Sequence, residues 1–579
     1  MNLRCPGLLP CLLIVGGAVP HAAAQESPIV AVATEYVAAL FERTPELPSR
    51  RGVPGARHDR LTDNSLAALE RWQRREDSLL ARLRTLRIPA AGRRDWATYS
   101  ITREALEGSV AQRACRLELW GVNSLSGWQA SYPALARAQP VGSDSLRAQA
   151  LARWRALPRY VDVEIANLRE GLRRGYAAPR PVVENVVRQL DGLLATPAES
   201  SPFASPAQRD SSTAFRRDFV GVVANGINPA IRRYRDFLAG EYLPRARVTI
   251  AVSQSPGGPA CYRASVRRFT TLDLPADSIF ALGQRELARR EKAMSDLGER
   301  VAGTRDVRTL LRWLVTDTAF TFRTRQEIVD SSQAAIARAE RALPKWFGLL
   351  PRAHVVIEQH PEFRQRAGAV AQYNAAAEDG SRPGIFYINT YGPETQSRAR
   401  IESTAFHEAV PGHHFQVTIA QERGEAHPIA RYVSNSGYSE GWALYAETVA
   451  GEMELFSSDV GRLGLLASQA FRAVRLVLDA GIHAKGWSRE QAVEYLTAHS
   501  VVAPTIVQGE IDRYISVPGQ ASSYMLGNLE IRALRTEAER RLGDRFEIRE
   551  FHDRVLEDGA LPLPALRAKL LAWIETRAR

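Results

Sequence analysis

The run His407-Glu408-Ala409-Val410-Pro411-Gly412-His413-His414 concentrates imidazoles around one carboxylate. Soon after it, Ser439-Glu440-Gly441-Trp442-Ala443-Leu444-Tyr445-Ala446-Glu447 supplies two further carboxylates. Hydrolytic zinc needs this kind of set: three protein ligands, an open position for water, and a base for the water's proton. In the common H-E-x-x-H helix, ligands at i and i+4 share a face and the glutamate beside the first is the base. Here the i+4 position is Pro411. Proline has no backbone N–H and disfavours the α conformation in the residue before it, so a smooth helix cannot run through the motif. A bulge at Pro411-Gly412 brings His413 to the place of the second ligand. His414, at i+7 from His407, shares its face in an unbroken helix but sits about 10.5 Å along the axis. His413 is the preferred ligand, and His414 the alternative or a wall residue.

The segment Ser439–Glu447 resembles the Asn-Glu-Gly-Phe-Ala-x-Tyr-x-Glu stretch of gluzincin aminopeptidases, whose first glutamate binds zinc. That resemblance implies Glu440 as third ligand. Glu447, two turns on, could orient a ligating histidine. A wider resemblance rests on Arg382–Thr390, His407–Gln416, Glu440–Glu447, Asp479–His483, Arg513-Tyr514 and Pro518–Tyr524. Together these are similar to the bacterial family called domain of unknown function 885, predicted metallopeptidases. It implies a largely helical, channel- or cleft-shaped zincin-like fold and supports His413, because its motif is written around the Pro-Gly-His imidazole. It does not itself imply a substrate.

One zinc ion per chain on His407, His413 and Glu440 would lower the pKa of its water, and Glu408 would take the proton and pass it to a leaving amine. The oxyanion needs a further donor, for which Tyr524, His483, Tyr514 and Arg513 are candidates. Each also has an ordinary reading as core packing or a structural ion pair. The expected function is hydrolysis of short peptides. A zinc hydrolase of a non-peptide amide or ester uses the same machinery, and a binding protein with a vestigial site is the reading from another class.

The elements that must position these groups are mainly helical. Apolar residues recur at helical spacing over 64–87, with Asp63 or Asn64 as N-cap, and again over 94–125, 143–175, 180–195, 209–239, 275–300, 306–316 and 325–343. Helical patterning resumes at 396–420, 438–456, 459–485, 489–499, 505–515, 521–541 and 564–577. Between the two sets, within 353–392, His354–Glu358, Ala369–Ala375 and Gly384–Thr390 read as strands of a small antiparallel hairpin or sheet. A strand there could offer its edge to an extended peptide. The Ser/Pro/Ala-rich stretch 196–206 is the best linker candidate, separating an N-terminal helical region (25–200) from a catalytic region (201–579) with its metal site within 400–450. The two are expected to form one fused bilobal unit.

With 45% hydrophobic and 24% charged residues, the chain has the composition of a folded globular protein. Its net charge of +12 comes almost entirely from arginine. Those arginines interleave with acids on helical faces, as over Arg71–Arg84, and no basic block or nucleic-acid module is present, so nucleic acid is not an expected partner. Residues 1–24 read as a cleaved signal peptide: Arg4, an apolar run from Gly7 to Val19, and Ala22-Ala23-Ala24 before Gln25. A periplasmic or secreted protein without a membrane anchor follows. Cys5 and Cys11 leave with the leader, and Cys115 and Cys261 remain either as a bridge or as two buried thiols.

Overall fold

The computed structural model describes residues 27–360, 365, 371–423, 427–500 and 504–579. The expected leader lies outside them. The chain is 71% helical with one three-stranded sheet, so the mainly α expectation holds. Among the described residues no helix is long and apolar enough to cross a membrane.

The elements that frame the site are numbered here in chain order: α1 (Pro28–Arg43), α2 (Leu66–Thr85), α3 (Ala276–Ala302), β1 (Val356–Gln359), β2 (Ala371–Asn374), β3 (Ile385–Ile388), α4 (Arg398–Glu408), α5 (His413–Glu422), α6 (Ser436–Glu452), α7 (Asp459–His483), α8 (Pro504–Ser516), α9 (Ser523–Leu542) and α10 (Leu563–Ala578). Short polar side chains begin several of them. Ser65 accepts from the Ala68 N–H at the start of α2, one residue beyond the expected cap. Asn435 accepts from Tyr438 N–H to start α6, and Ser458 from Gly461 N–H to start α7. Each such cap satisfies a donor that the first helical turn leaves without a partner.

Two apolar cores result. One gathers side chains between Cys115 and Leu314 with much of α7 and the start of α9. The other packs α1 and α2 against the strands, α4, α6, the later turns of α9 and α10. Helix α7 is buried on nearly every side, with Val474, Leu476, Val477, Leu478, Ala480 and Ile482 fully out of solvent. It lies so close to α3 that a methyl group on Gly283 would stand 2.8 Å from the Leu476 side chain. Along this otherwise apolar rod runs one polar stripe: Ser468, Arg472, Arg475, Asp479 and His483, at helical spacing.

Two expectations change. The sheet has the order β1-β3-β2, with β2 antiparallel to β3 but β1 parallel to it, so it is mixed rather than purely antiparallel. The reason is burial. Ile385, Phe386 and Ile388 of β3 are buried, so the most apolar strand takes the centre and the more exposed β1 and β2 flank it. All three strands are shorter than expected, and positions 369 and 370 lie outside the described residues. Second, the 196–206 stretch is packed rather than a linker: Phe203 is fully buried, its ring 5.8 Å from that of Trp154. The helical stretch expected over 396–420 is broken at the proline, as the motif required, into α4 and α5. The Cys115–Cys261 pair is a disulfide, joining positions 146 residues apart. Closing a loop of that size removes unfolded-chain entropy and stabilises by roughly 2–5 kcal/mol.

Candidate metal centre

Helix α4 ends at Glu408, where the Ala409 backbone leaves the helical region at φ −107°, ψ −97°. The Val410–Pro411 peptide is cis. The chain then folds back beneath the helix it has just left. A Cβ on Gly412 would fall 1.9 Å from the His407 carbonyl oxygen and 2.4 Å from that of Phe406, so only glycine fits. The turn is tied to α6 by the Trp442 indole, which donates to the Pro411 carbonyl at 2.9 Å. His413 starts α5 immediately after it. The break is therefore wider than a bulge within one helix, but it produces the expected approach: the rings of His407 and His413 lie 4.9 Å apart, edge to face.

Glu440 on α6 meets both rings. Its Oε2 is 3.5 Å from His407 Nε2 and 3.3 Å from His413 Nε2, and it accepts a well-formed hydrogen bond from neither. One ligand atom from each of the three residues lies within 4.8 Å of the other two. Atoms held tetrahedrally at ~2.0–2.1 Å from zinc stand roughly 3.3 Å apart, so the two Glu440 edges have the size that a zinc ion requires. Two histidines and a carboxylate with one open side also form a donor set of hydrolytic zinc. These three residues fit the metal.

The opposite nitrogen of His407 is fixed as well. Its Nδ1 donates to Glu447 Oε1 at 2.8 Å, which leaves the Nε2 lone pair for an ion. The second oxygen of Glu447 accepts from the hydroxyls of Ser403 and Ser468, the latter at 3.0 Å. Burial alone pushes His407 down, but the carboxylates of Glu440 and Glu447 more than reverse it and lift the ring to about 10. Burial pushes Glu440 up, and the two histidines hold it well below the usual carboxylate range. The arrangement selects for a cation. Access is one-sided: the side chains of His413 and Glu440 are 15% and 20% exposed, against 5% for His407 and 1% for Glu447.

Glu408, the last residue of α4, is tied to the sheet: its Oε2 accepts the Tyr373 N–H of β2 at 2.9 Å. Strand β2 is an edge, so this N–H is not used in the ladder with β3. His414 joins the same sheet and not the ligands. Its Nε2 donates to the Ala353 carbonyl at 2.9 Å, and its Nδ1 faces the Tyr373 and Thr418 hydroxyls.

A family model described as "Bacterial protein of unknown function (DUF885)" matches residues 45–570. The chain belongs to the DUF885 family. No curated protein matches it. Among solved structures, a candidate lipoprotein from Colwellia psychrerythraea superimposes with a TM-score of 0.88 at 24% identity, covering 95% of this chain and 99% of that one. A candidate lipoprotein of unknown function from Shewanella oneidensis gives 0.76 at 17%, covering 94% and 99%. These likenesses show that the DUF885 fold is shared over almost the whole chain.

Of the four donor candidates in this DUF885 chain, Tyr524 lies beside the ligands, its ring stacked 6.4 Å from that of His407. Helix packing puts it there. A Cβ on Gly441 would sit 2.5 Å from Gly527 Cα, and one on Gly527 would sit 1.7 Å from the Gly437 carbonyl. Helices α6 and α9 thus touch backbone to backbone beside Glu440 and one turn from Tyr524. Arg513 acts through Tyr524, donating to its hydroxyl at 3.0 Å. Tyr514 does not approach as a donor: its hydroxyl donates to Glu510 at 2.7 Å and accepts from Arg475 at 3.0 Å. His483 is a correction. It is fully buried, its Nε2 donates to the Tyr514 carbonyl at 2.9 Å, and its Nδ1 accepts the Val252 N–H at 3.2 Å. Both nitrogens serve the backbone, and burial pushes the ring down to about 4.

Sequence reasoning passed over several residues: Tyr373 behind Glu408, Ser403 and Ser468 behind Glu447, and the arginines Arg400, Arg472 and Arg475 near Tyr524. A signal existed for some of them. Arg400 and Ser403 precede His407 by two turns and one turn, and Ser468, Arg472 and Arg475 are polar residues on an apolar helix.

Proposed function

We propose that this protein is an exported zinc-dependent hydrolase that cleaves peptide bonds in short peptides. The observation that carries the reading is the convergence of His407, His413 and Glu440, with Glu447 bonded to His407 Nδ1 and Glu408 next to His407 in the chain. Zinc held by those three residues would supply a Lewis acid that makes water nucleophilic near neutral pH.

The chain's own groups carry the remaining steps. Glu408 keeps one oxygen on the Tyr373 N–H, which leaves the other to take a proton from water and return it to the departing amine. Tyr524 accepts from Arg513, so its own hydrogen is directed away from that guanidinium and can stabilise negative charge developing on the carbonyl oxygen. The β2 edge beside Glu408 is a place for an extended backbone to lie, which favours peptide over a small amide or ester. Export is supported by the leader pattern, by a disulfide suited to an oxidising compartment, and by the description of the two similar structures as candidate lipoproteins.

Two measurements test this. Metal analysis of purified protein is expected to return one zinc per chain. Glu408→Gln is expected to keep that zinc and lose about 10²–10⁴-fold in peptide turnover, the usual scale for removing a general base. Full activity in that variant rejects the mechanism, and a panel of short peptides against small amides and esters separates the substrate classes.

A further inference from the structure

Three arginines surround Tyr524, and a fourth, Arg400, lies close to two of them. The Arg475 guanidinium lies 4.6 Å above the Tyr524 ring, and those of Arg472 and Arg513 lie 5.9 Å from it. Arg400, two turns before His407 on α4, is within electrostatic reach of Arg472, Arg475 and Glu510. Glu510 is the counter-ion of this group, and it is already committed: it pairs with Arg475 at 3.0 Å and Arg513 at 3.5 Å, and accepts from Tyr514. Glu447 has spent both oxygens on His407 and the two serines.

Arg400 and Arg472 are thus left over. Among the described residues neither forms an ion pair or donates a side-chain hydrogen bond, and Arg472 Nε is buried without an acceptor. The stripe on α7 sharpens the point. Ser468 donates to Glu447, Arg475 to Glu510 and Tyr514, and Asp479 accepts from Tyr262, Gly519 and Ser522, while His483 bonds two backbone groups. Only Arg472 in that stripe lacks a polar partner. Burial and the neighbouring Arg472 push the Arg400 guanidinium down to about 10, although Glu510 and Glu447 pull the other way, the mark of positive charge in excess of its hydrogen-bonded counter-ions. Both residues keep partial exposure, although the Arg472 Nε itself is buried.

An uncompensated pair of guanidinium forks is built for a planar anion with two oxygens. We infer that Arg400 and Arg472 form a subsite for a substrate carboxylate, and that the group it takes is the free C-terminal carboxylate of a short peptide. The subsite lies one aromatic ring from His407, so the carboxylate it holds belongs close to the bond being cut. The enzyme then removes small C-terminal units. An acidic side chain offers the same chemistry from another source. This inference rests on the proposed peptidase reading for its substrate, but not for the anion pocket itself.

Binding separates the two. In Glu408→Gln protein, whose turnover is expected to be slowed by about 10²–10⁴-fold, calorimetry compares acetyl-Ala-Ala-Phe as free acid and as C-terminal amide, with zinc loaded and after chelation. The free acid is expected to bind roughly 10–100-fold tighter, the worth of one charge-assisted bidentate contact. That margin is expected to persist without zinc and to vanish when Arg400→Gln and Arg472→Gln are added. Arg472→Lys, which keeps charge but not the fork, serves as the milder variant should the double substitution fail to fold. In otherwise unaltered protein, kcat/KM is expected to show the same acid-over-amide preference. Equal binding of acid and amide, or a preference that survives the arginine substitutions, overturns the subsite. Tighter binding of acetyl-Ala-Glu-Phe-amide than of acetyl-Ala-Ala-Phe-amide, with no gain for the free acid, overturns the C-terminal assignment. A preserved binding margin with no peptide cleaved supports the subsite and removes the peptidase reading.

Discussion

His407 and His483 are both buried histidines near the C-terminal ends of helices, and they differ in what meets their nitrogens. His407 has a carboxylate on each side, Glu447 at 2.8 Å and Glu440 at 3.5 Å. His483 has the Tyr514 carbonyl and the Val252 N–H. The result is opposite: His407 is held up at about 10 and His483 is pushed down to about 4. Burial alone does not set a histidine's charge. Carboxylates beside it raise the ring, because buried negative charge favours a cation near it.

The contrast can be broken most severely at the ligands. His413→Ala is expected to lose stoichiometric zinc and, with it, at least about 10³-fold of activity, since the Lewis acid goes with the ligand. His414→Ala is expected to keep zinc, because that ring bonds Ala353 and faces Tyr373. Metal analysis of the two variants side by side decides it, and the reverse result would exchange their roles. A gentler change, Glu447→Gln, keeps a hydrogen-bond acceptor for His407 but removes the charge. Zinc affinity is expected to fall about 10–100-fold, measured by competition with a chelator.

The His483 side of the comparison acts on stability instead. His483→Leu leaves a buried N–H and a buried carbonyl without partners, at a cost of roughly 1–3 kcal/mol each. A lower melting temperature at unchanged zinc content is the expected result. The smallest effect is in the pH profile. His483 and His552 are buried neutral rings whose folded values, about 4 and about 3, lie below the ordinary 6.5. The unfolded chain therefore takes up protons first as pH falls. The stability they contribute is present above ~6.5 and is lost on acidification toward those folded values, by roughly a few kcal/mol at pH 4. Denaturant titrations between pH 7 and 4 measure the slope, which is expected to be shallower in His483→Leu.

The sequence was most readable where the chemistry is local. His407, Glu408, His413 and Glu440 lie on two short runs whose spacing already implies a broken helix followed by a second one, and His407, His413 and Glu440 converge in the fold. Helix content was readable for the same reason, since a 3.6-residue repeat is a local signal. Sheet order was not, because the choice of central strand depends on which one the rest of the fold buries. His483 misled because its motif, Asp479 to His483, resembles a functional one while its partners come from Val252 and Tyr514. Arg400 and Arg472 were invisible because their significance is an absence of counter-ions, and that shows only once all neighbours are placed.

Gly441 and Gly527 bring two helices together, backbone against backbone, beside Glu440. A single methyl group at either point would work as a wedge, prying the helix that bears Glu440 from the one that bears Tyr524. The distance between Glu440 and Tyr524 is thus regulated by two residues that have no functional group at all.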